Sequence, residues 1–271
     1  MFDKYVVITG AGGGFGKITT ELLVGQGFYV FACDIDEPTL FKLESENVIP
    51  IIMDITSRES IKAALAIIEG KTNKLHGLVN IAGRFDQFAL VEAKEDAFEK
   101  LLNVNLYGPQ LLTSMLFPLL KNAKGKIVNI SSETVLAQMP VQAYGLSKKL
   151  FDVWNSQLRM ELKLIDMEVI VIRAGGHETP FIEKSKEIIG ITDPSSIYSN
   201  LYQRIKEHGI KILSKKQHDP LDVAKVIYIA LTVKNPKHVY NVNVSSLFKL
   251  LSILPERLKE VMILNKIKKW M

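Results

Sequence analysis

The chain has 271 residues, of which 47% are hydrophobic, enough to bury a sizeable core as one α/β domain. No apolar run reaches the ~20 residues that span a bilayer, and the N-terminal sequence enters a strand at once, so we expect no signal peptide. Cys33 is the only cysteine, which excludes an internal disulfide and leads us to expect a cytoplasmic protein.

The net charge of +5 is unevenly distributed along the chain. Residues 247–271, the C-terminal segment, hold six basic and two acidic side chains, a net charge of +4. The remaining chain is nearly neutral, which argues against a nucleic-acid-binding surface. The C-terminal segment is basic with apolar residues at helical spacing, and two interpretations stay open. It either makes peripheral contact with an anionic membrane, or closes a pocket or subunit interface, which we favour slightly.

Seven short runs rich in β-branched residues alternate with segments of helical periodicity. The runs are apolar throughout, as strands buried on both faces are, and span 5–9, 28–34, 48–54, 77–82, 126–131, 168–173 and 238–242. Helical spacing occurs near 14–26, 57–69, 95–122, 142–164 and 219–232. This order predicts a doubly wound parallel sheet of seven strands with helices on both faces, and a ligand site at the carboxyl ends of the strands. The long interval 175–216 predicts a substrate lid.

A glycine-rich turn, TGAGGGFG at residues 9–16, separates the first strand from the first helix. Glycines let the backbone approach a pyrophosphate, and the helix N-terminus supplies N–H groups to it. The second strand ends in Asp34, whose carboxylate would accept hydrogen bonds from ribose hydroxyls and repel a 2′-phosphate. No Arg or Lys follows in DIDEPTL, so the sequence predicts NAD as the cofactor rather than NADP.

Tyr144 and Lys148 lie one helical turn apart in QAYGLSKK, residues 142–149, and can meet on one helix face. Alone, neither group is a base at neutral pH. An ammonium beside the phenol favours the phenolate and moves the tyrosine pKa toward neutrality. Taken by itself the spacing is common, and a packed tyrosine beside a solvated lysine is the alternative.

The motifs, taken in order, resemble the short-chain dehydrogenase/reductase family in its single-domain oxidoreductase branch. The resemblance covers about residues 4–242 and rests on TGAGGGFG, MDIT (53–56), NIAG (80–83), NVNLYG (103–108), VNISS (128–132), YGLSK (144–148) and RAGGHETP (173–180). It implies a single NAD-binding Rossmann-type domain over residues 1–271 and oxidoreductase chemistry that needs no metal. We also expect the protein to form a homodimer or homotetramer.

The resemblance implies four catalytic residues. Ser132 would hydrogen-bond the substrate oxygen, with Ser131 as the nearby alternative. Tyr144 would exchange a proton with the substrate, and Lys148 would lower the tyrosine pKa and bind the nicotinamide ribose. Asn105 would complete a water-mediated proton relay, the alternative being a structural bend in the 95–122 region.

The resemblance also implies a set of cofactor-binding residues. The pyrophosphate would bind at Gly10, Gly14, Phe15 and Gly16. The adenosine would bind at Asp34, Asp54, Ile55, Asn80, Ala82 and Gly83. The nicotinamide end would bind at Tyr144, Lys148, Gly175, His177 and Thr179. Glycines at 10, 14 and 16 have the spacing of the oxidoreductase branch, whereas 10, 13 and 16 have that of an epimerase and dehydratase branch. Chain length and NIAG favour the oxidoreductases. His177 and Glu178 are interpreted as loop residues rather than a second catalytic pair.

Apolar residues dominate the expected walls of the substrate pocket. The walls are predicted from ranges 84–88 and 133–142 and from Phe181, Ile182, Ile188, Ile189, Ile197, Tyr198 and Tyr202. They predict a small lipophilic substrate, a secondary alcohol or ketone of steroid, retinoid or fatty type. A dinucleotide-binding sensor or scaffold is the alternative, opposed by the complete catalytic set. An epimerase or dehydratase is opposed by the short chain.

Overall fold

The computed structural model describes residues 4–191, 194–214 and 217–269. The described residues form one seven-stranded sheet in the order β3-β2-β1-β4-β5-β6-β7, with every pairing parallel. The strands are β1 (Lys4–Thr9), β2 (Phe28–Asp34), β3 (Val48–Ile52), β4 (Gly77–Asn80), β5 (Lys126–Ser132), β6 (Val169–Ala174) and β7 (Val239–Val242). The order reverses between β1 and β4, so the predicted doubly wound sheet is confirmed.

Helices cover both faces of this sheet. The described residues form α1 (Gly14–Gly25), α2 (Glu37–Leu40), α3 (Arg58–Glu69), α4 (Ala97–Leu102), α5 (Gly108–Ala123), α6 (Ala143–Lys163), α7 (Pro180–Ile188), α8 (Ser199–Leu213), α9 (Leu221–Thr232), α10 (Ser246–Ser252) and α11 (Glu256–Lys268). One buried cluster joins the sheet to α1 and α9, and another joins it to α3, α5 and α6. Cys33 lies in the second cluster, where burial and then the Asp34 charge raise its pKa to about 12, so it is a packing residue.

Two strands end earlier than the apolar runs predict. β3 stops at Ile52 because Asp54 starts a turn in which its carboxylate accepts hydrogen bonds from Thr56. β4 stops at Asn80 because the next two backbone N–H groups donate to the Thr9 hydroxyl instead of to a strand. Both departures turn the chain at the carboxyl edge of the sheet.

The predicted helical region 95–122 is interrupted by a π-helical segment, Asn103–Tyr107, between α4 and α5. Gly108 donates its backbone N–H to the Asn103 carbonyl, five residues back, and a Cβ at Gly108 would lie 2.9 Å from that oxygen. Pro109 follows and has no N–H to return to the Asn105 carbonyl. The helix is therefore irregular at Asn105, which agrees with the alternative interpretation of that residue, and π segments are frequent at functional sites.

The lid and the C-terminal segment form a third layer beyond the strand ends. Helices α7 and α8 make up most of the 175–216 interval, in which 192–193 and 215–216 lie outside the described residues. Buried residues of α8, α10 and α11 pack together in a separate apolar cluster with loop residues near 89 and 137–141. Residues 270–271 of the C-terminal segment also lie outside the described part. Within that part, no helix combines the length and apolar character needed to cross a bilayer.

Candidate active site

A cavity of about 930 Å³ opens at the carboxyl ends of the strands. Its walls come from the glycine-rich turn, the ends of β2 to β6, the start of α6 and the lid. The C-terminal segment adds Phe248 and Ile267 to the same wall. One continuous cavity therefore joins the predicted cofactor residues to the predicted substrate pocket.

At several positions of the glycine-rich turn there is no room for a side chain. Gly10 has a positive φ of 67°, and a Cβ there would lie 2.9 Å from the Ala82 nitrogen. A Cβ at Gly14 would meet Thr179 at 2.6 Å, and one at Gly16 would meet the Gly10 carbonyl oxygen at 2.0 Å. At Gly13 the nearest atom is 3.4 Å away, an ordinary contact. A Cβ at Gly12 would also meet the Thr39 hydroxyl oxygen at 2.4 Å. Of the two positions that distinguish the branches, Gly14 has no room for a Cβ and Gly13 has, which is the oxidoreductase spacing.

These contacts predict unequal effects of alanine in the turn. We expect Gly16→Ala to raise the Kd for NADH at least about tenfold, because its methyl group forces the Gly10 carbonyl and α1 apart. Gly13→Ala is the matched control and should bind NADH nearly as the native protein does. Fluorescence titration of both variants checks the prediction, and equal Kd values would contradict it.

The end of β2 presents a carboxylate to the cavity. Asp34 accepts hydrogen bonds from the backbone N–H of Gly12 at 2.9 Å and of Asp36 at 3.1 Å, which fixes its orientation beside the glycine-rich turn. Ile35, Asp36 and Thr39 line the cavity next to it. Among described lining residues at this end there is no Lys or Arg to pair with a 2′-phosphate.

The adenosine end follows the prediction at all positions but one. Asp54, Ile55, Ala82 and Gly83 line the cavity, and Ile81 joins them. Asn80 does not, contrary to expectation: it is 2% exposed, and its side chain donates to Asn129 Oδ1 at 2.7 Å. Its amide nitrogen joins β4 to β5 beneath the site, whereas its Oδ1 has no partner among the described residues. Cofactor binding by Asn80 stays a prediction.

The predicted catalytic residues Ser132, Tyr144 and Lys148 lie together where β5 meets α6. Tyr144 is hydrogen-bonded to the Ser132 side chain, and the Lys148 Nζ lies 6.0 Å from the Tyr144 ring centroid. Lys148 also donates to the Ile130 carbonyl at 3.1 Å. Ser131, the alternative to Ser132, donates its hydroxyl to Asp152 at 2.6 Å. The structure therefore places Ser132, and not Ser131, against the tyrosine.

Burial is the largest influence on the pKa values of Tyr144 and Lys148. The Tyr144 ring packs against two phenylalanines that also contact each other, with centroid distances of 5.4 Å to Phe85, 5.7 Å to Phe181 and 6.4 Å between Phe85 and Phe181. Burial raises the pKa of Tyr144 to about 12, with the Ser132 hydrogen bond opposing the rise. Burial lowers the pKa of Lys148 to about 8, with the Asp152 carboxylate opposing the fall. The expected lowering of the tyrosine pKa is absent here, because desolvation under the two rings outweighs the neighbouring groups.

Asn105 lies in the π segment behind the catalytic pair and is 1% exposed. Its Oδ1 accepts from the Arg84 N–H at 2.8 Å, and its Nδ2 donates to the Arg84 carbonyl and to Ser147 Oγ, each at 2.9 Å. The side chain thus fixes the loop after β4 against α6. A proton relay through Asn105 stays a prediction.

The turn after β6 carries the predicted nicotinamide residues Gly175, His177 and Thr179, and all three line the cavity. His177 is 1% exposed; its Nδ1 lies 3.0 Å from the Gly175 carbonyl and its Nε2 lies 3.3 Å from Asn243. Burial lowers the His177 pKa, against the bond to Gly175. Its ring also meets the edge of Phe15, 5.3 Å between centroids. The side chain braces the turn, in agreement with its interpretation as a loop residue.

The substrate end is lined mainly by apolar residues, though partly by different ones from those expected. Phe85, Met139, Phe181, Ile182 and Ile189 line the cavity as predicted. Four expected lid residues do not: Ile197 is 76% exposed, Tyr198 and Tyr202 pack in the third cluster, and Ile188 lies outside the lining. Their places are taken by four residues of the predicted 177–216 wall that the sequence did not single out, Ile205, Gly209, Ile212 and Leu213. Phe248 and Ile267 of the C-terminal segment also line the cavity, in agreement with the favoured pocket-closing interpretation of that segment.

Among the described residues, no three His, Cys, Asp or Glu side chains are grouped so that they could hold a metal ion. The site is a cavity of about 930 Å³ that holds Ser132, Tyr144 and Lys148 where the glycine-rich turn meets the apolar pocket. A family model described as short chain dehydrogenase matches residues 4–188. The chain belongs to the short-chain dehydrogenase family. It therefore belongs to a family of oxidoreductases whose fold binds nicotinamide dinucleotides.

The chain is similar to two mammalian dehydrogenases over about two thirds of its length. The chain is 34% identical to retinol dehydrogenase 7 of Mus musculus over 183 residues, 65% of this chain and 58% of the relative. It is 34% identical to 17-beta-hydroxysteroid dehydrogenase type 6 of Rattus norvegicus over 200 residues, 69% of this chain and 63% of the relative. The matched part thus spans about three fifths of either relative.

The fold is also that of solved short-chain dehydrogenases. A short-chain dehydrogenase/reductase of Burkholderia phymatum in complex with NAD superposes with a TM-score of 0.80 at 19% identity, covering 96% of this chain and 95% of that one. At this identity the likeness bears on the fold alone.

Proposed function

We propose that this protein is an NAD-dependent oxidoreductase that interconverts a lipophilic secondary alcohol and its ketone. The observation that carries the proposal is the junction of Ser132, Tyr144 and Lys148 between the glycine-rich cradle and an apolar pocket. Two relatives are named as a retinol dehydrogenase and a 17-beta-hydroxysteroid dehydrogenase, and both names support a lipophilic substrate.

The residues present fit a dinucleotide. Gly14 has no room for a Cβ beneath Thr179, and the Asp34 carboxylate is held at the end of β2 by two backbone N–H groups. Gly10, Gly14, Phe15, Asp34, Asp54 and Ile55 would hold the adenosine and pyrophosphate, and Gly175 and Thr179 the carboxamide. When bound, the nicotinamide supplies the hydride chemistry. The carboxylate at Asp34 favours NAD over NADP.

In alcohol oxidation, the substrate hydroxyl would bind between Ser132 and Tyr144. The Ser132 hydroxyl donates a hydrogen bond to the substrate oxygen and holds it in place. Tyr144, as phenolate, accepts the hydroxyl proton while the carbinol C–H bond breaks and the C=O bond forms. The Lys148 ammonium stabilises the phenolate, which must outweigh the effect of burial on the Tyr144 pKa. Reduction runs through the same groups in reverse.

A screen of hydrophobic secondary alcohols and ketones tests the proposed function. NADH absorbance is followed for steroid, retinoid and fatty-chain compounds with NAD and NADP in parallel. Turnover of at least one compound, with NAD preferred, is the expected result. Tight NADH binding without turnover of any compound would favour a sensor or scaffold and overturn the enzyme assignment.

We also propose that the C-terminal segment, which closes the cavity through Phe248 and Ile267 as the favoured interpretation expects, presents its other face to an anionic membrane surface. Helix α11 buries Ile263 and Ile267 against the body, whereas Leu258, Val261 and Met262, at i, i+3 and i+4, are 46%, 47% and 45% exposed on the other side. An anionic lipid surface complements the net charge of +4 on this segment, with each basic residue near the surface worth about 1 kcal/mol. The same helix lines the cavity, which suits a lipophilic substrate.

Vesicle binding tests the membrane contact. The full chain should co-sediment with vesicles of phosphatidylcholine containing about 30% phosphatidylserine and bind pure phosphatidylcholine weakly. Leu258→Gln/Val261→Gln/Met262→Gln should abolish binding, whereas Val91→Gln, at an exposed apolar residue elsewhere, should not. Absence of binding by the native chain would overturn the proposal, as would a triple variant that changes only the oligomeric state in light scattering.

A further inference from the structure

Asp152 joins the three elements that carry the candidate active site. It lies one helical turn after Lys148 on α6, so Tyr144, Lys148 and Asp152 share a helix face. Its Oδ1 accepts from Ser131 Oγ at 2.6 Å on β5, and its Oδ2 accepts from Arg173 Nε at 2.8 Å on β6. One carboxylate thus bonds to both neighbouring strands.

The two partners of Asp152 are neighbours across the sheet. Ser131 pairs in register with Arg173, and each immediately precedes a residue that lines the cavity, Ser132 and Ala174. Arg173 also contacts Asp152 through Nη2 at 2.8 Å, and the two side chains are 25% and 9% exposed. The ion pair therefore lies largely out of water, at the base of the Ser132 position and of the nicotinamide turn.

We propose that Asp152 is a positioning residue that aligns Ser132 with the helix of Tyr144 and Lys148 and places a negative charge one helical turn from Lys148, with Arg173 as its counterion. The inference rests on the proposed function for its activity readout. Removing either partner of a buried ion pair leaves the other charge uncompensated, so each removal changes the field at the catalytic pair.

The sign of each change follows from the charge removed. A negative charge near Lys148 favours its ammonium and disfavours the Tyr144 phenolate, so losing it lowers both pKa values. Losing the Arg173 cation raises both. The polar and charged groups bonded to Lys148 and Asp152, or facing them across the site, are the Ile130 carbonyl, Ser131, Ser132, Tyr144, Asn105 and Arg173.

The test compares Asp152→Asn, Arg173→Gln and the charge-retaining Arg173→Lys. We expect the pH profile of kcat/KM to move to lower pH in Asp152→Asn and to higher pH in Arg173→Gln, by about half a unit or more. Arg173→Lys should keep the native profile, whatever its rate. The midpoint of the pH dependence of NADH binding, followed by fluorescence, should move in the same two directions.

Opposite shifts support the proposal, because a merely structural role would lower the rate without moving the profile. Shifts in the same direction in both charge-removing variants, or unchanged profiles with lower rates, would overturn it. If Asp152→Asn does not fold, the Arg173→Gln and Arg173→Lys comparison decides alone. Opposite NADH-binding shifts in a protein that turns over no alcohol would sustain this inference and refute the proposed function.

Discussion

Tyr144→Phe should lower kcat by about 10²-fold or more while leaving the Kd for NADH within about twofold of the native value. The substitution removes only the hydroxyl, which is hydrogen-bonded to Ser132, and keeps the ring packed against Phe85 and Phe181. Packing and cofactor binding are therefore preserved, and the proton acceptor is lost. Stopped-flow or steady-state kinetics and NADH fluorescence measure the two quantities separately.

Tyr107→Phe is the matched control, since Tyr107 is 53% exposed and lies outside the cavity lining. Its turnover and thermal unfolding should equal those of the native protein. Near-native turnover in Tyr144→Phe would refute the mechanism. A large loss of NADH affinity in that variant would instead assign the phenol mainly to cofactor binding.

Asp34→Ala/Ile35→Arg should change the ratio of NADPH to NADH affinity by about 10- to 100-fold in favour of NADPH. The native carboxylate is held beside the glycine-rich turn by the N–H groups of Gly12 and Asp36, where it would face a 2′-phosphate. The double substitution removes that repulsion, and arginine can pair bidentately with a phosphate. Ile35 is 70% exposed, so the longer side chain has room.

Titration of the native and variant proteins with NADH and NADPH measures this ratio. Glu37→Ala, which removes an exposed carboxylate three residues beyond Asp34 and outside the cavity lining, is the control and should leave the ratio unchanged. Equal affinity of the native protein for both cofactors would contradict the role assigned to Asp34.

Much of the fold was predictable because parallel strands buried on both faces have a simple apolar signature. β2, for example, has the predicted bounds at both ends. The polar residues at strand ends, Asp34 and Ser132, were predictable for the same reason, since parallel strands bring their carboxyl ends to one edge. Chain length and NIAG favoured one of the two glycine spacings, and the close contact of Gly14 with Thr179, compared with the room at Gly13, agrees with it.

The remaining features depend on contacts between segments far apart in sequence. Asn80 is an example, because its pairing with Asn129 on the next strand cannot be read from NIAG alone. The lining by Phe248 and Ile267 depends on how α10 and α11 pack on the lid. For Asp152 there was a signal in the spacing to Lys148, but its meaning required the positions of Ser131 and Arg173 on two strands.

The central claim is hydride transfer between a lipophilic carbinol carbon and a nicotinamide, with Tyr144 taking the proton. It is tested most directly with the best alcohol from the substrate screen, deuterated at the carbinol carbon, and native protein with unlabelled NAD. Mass spectrometry of the recovered cofactor should detect one deuterium in NADH and a matching amount of ketone, both formed about 10²-fold or more slowly with Tyr144→Phe. Ketone formed with its deuterium in the solvent, or NADH without deuterium, would contradict the account.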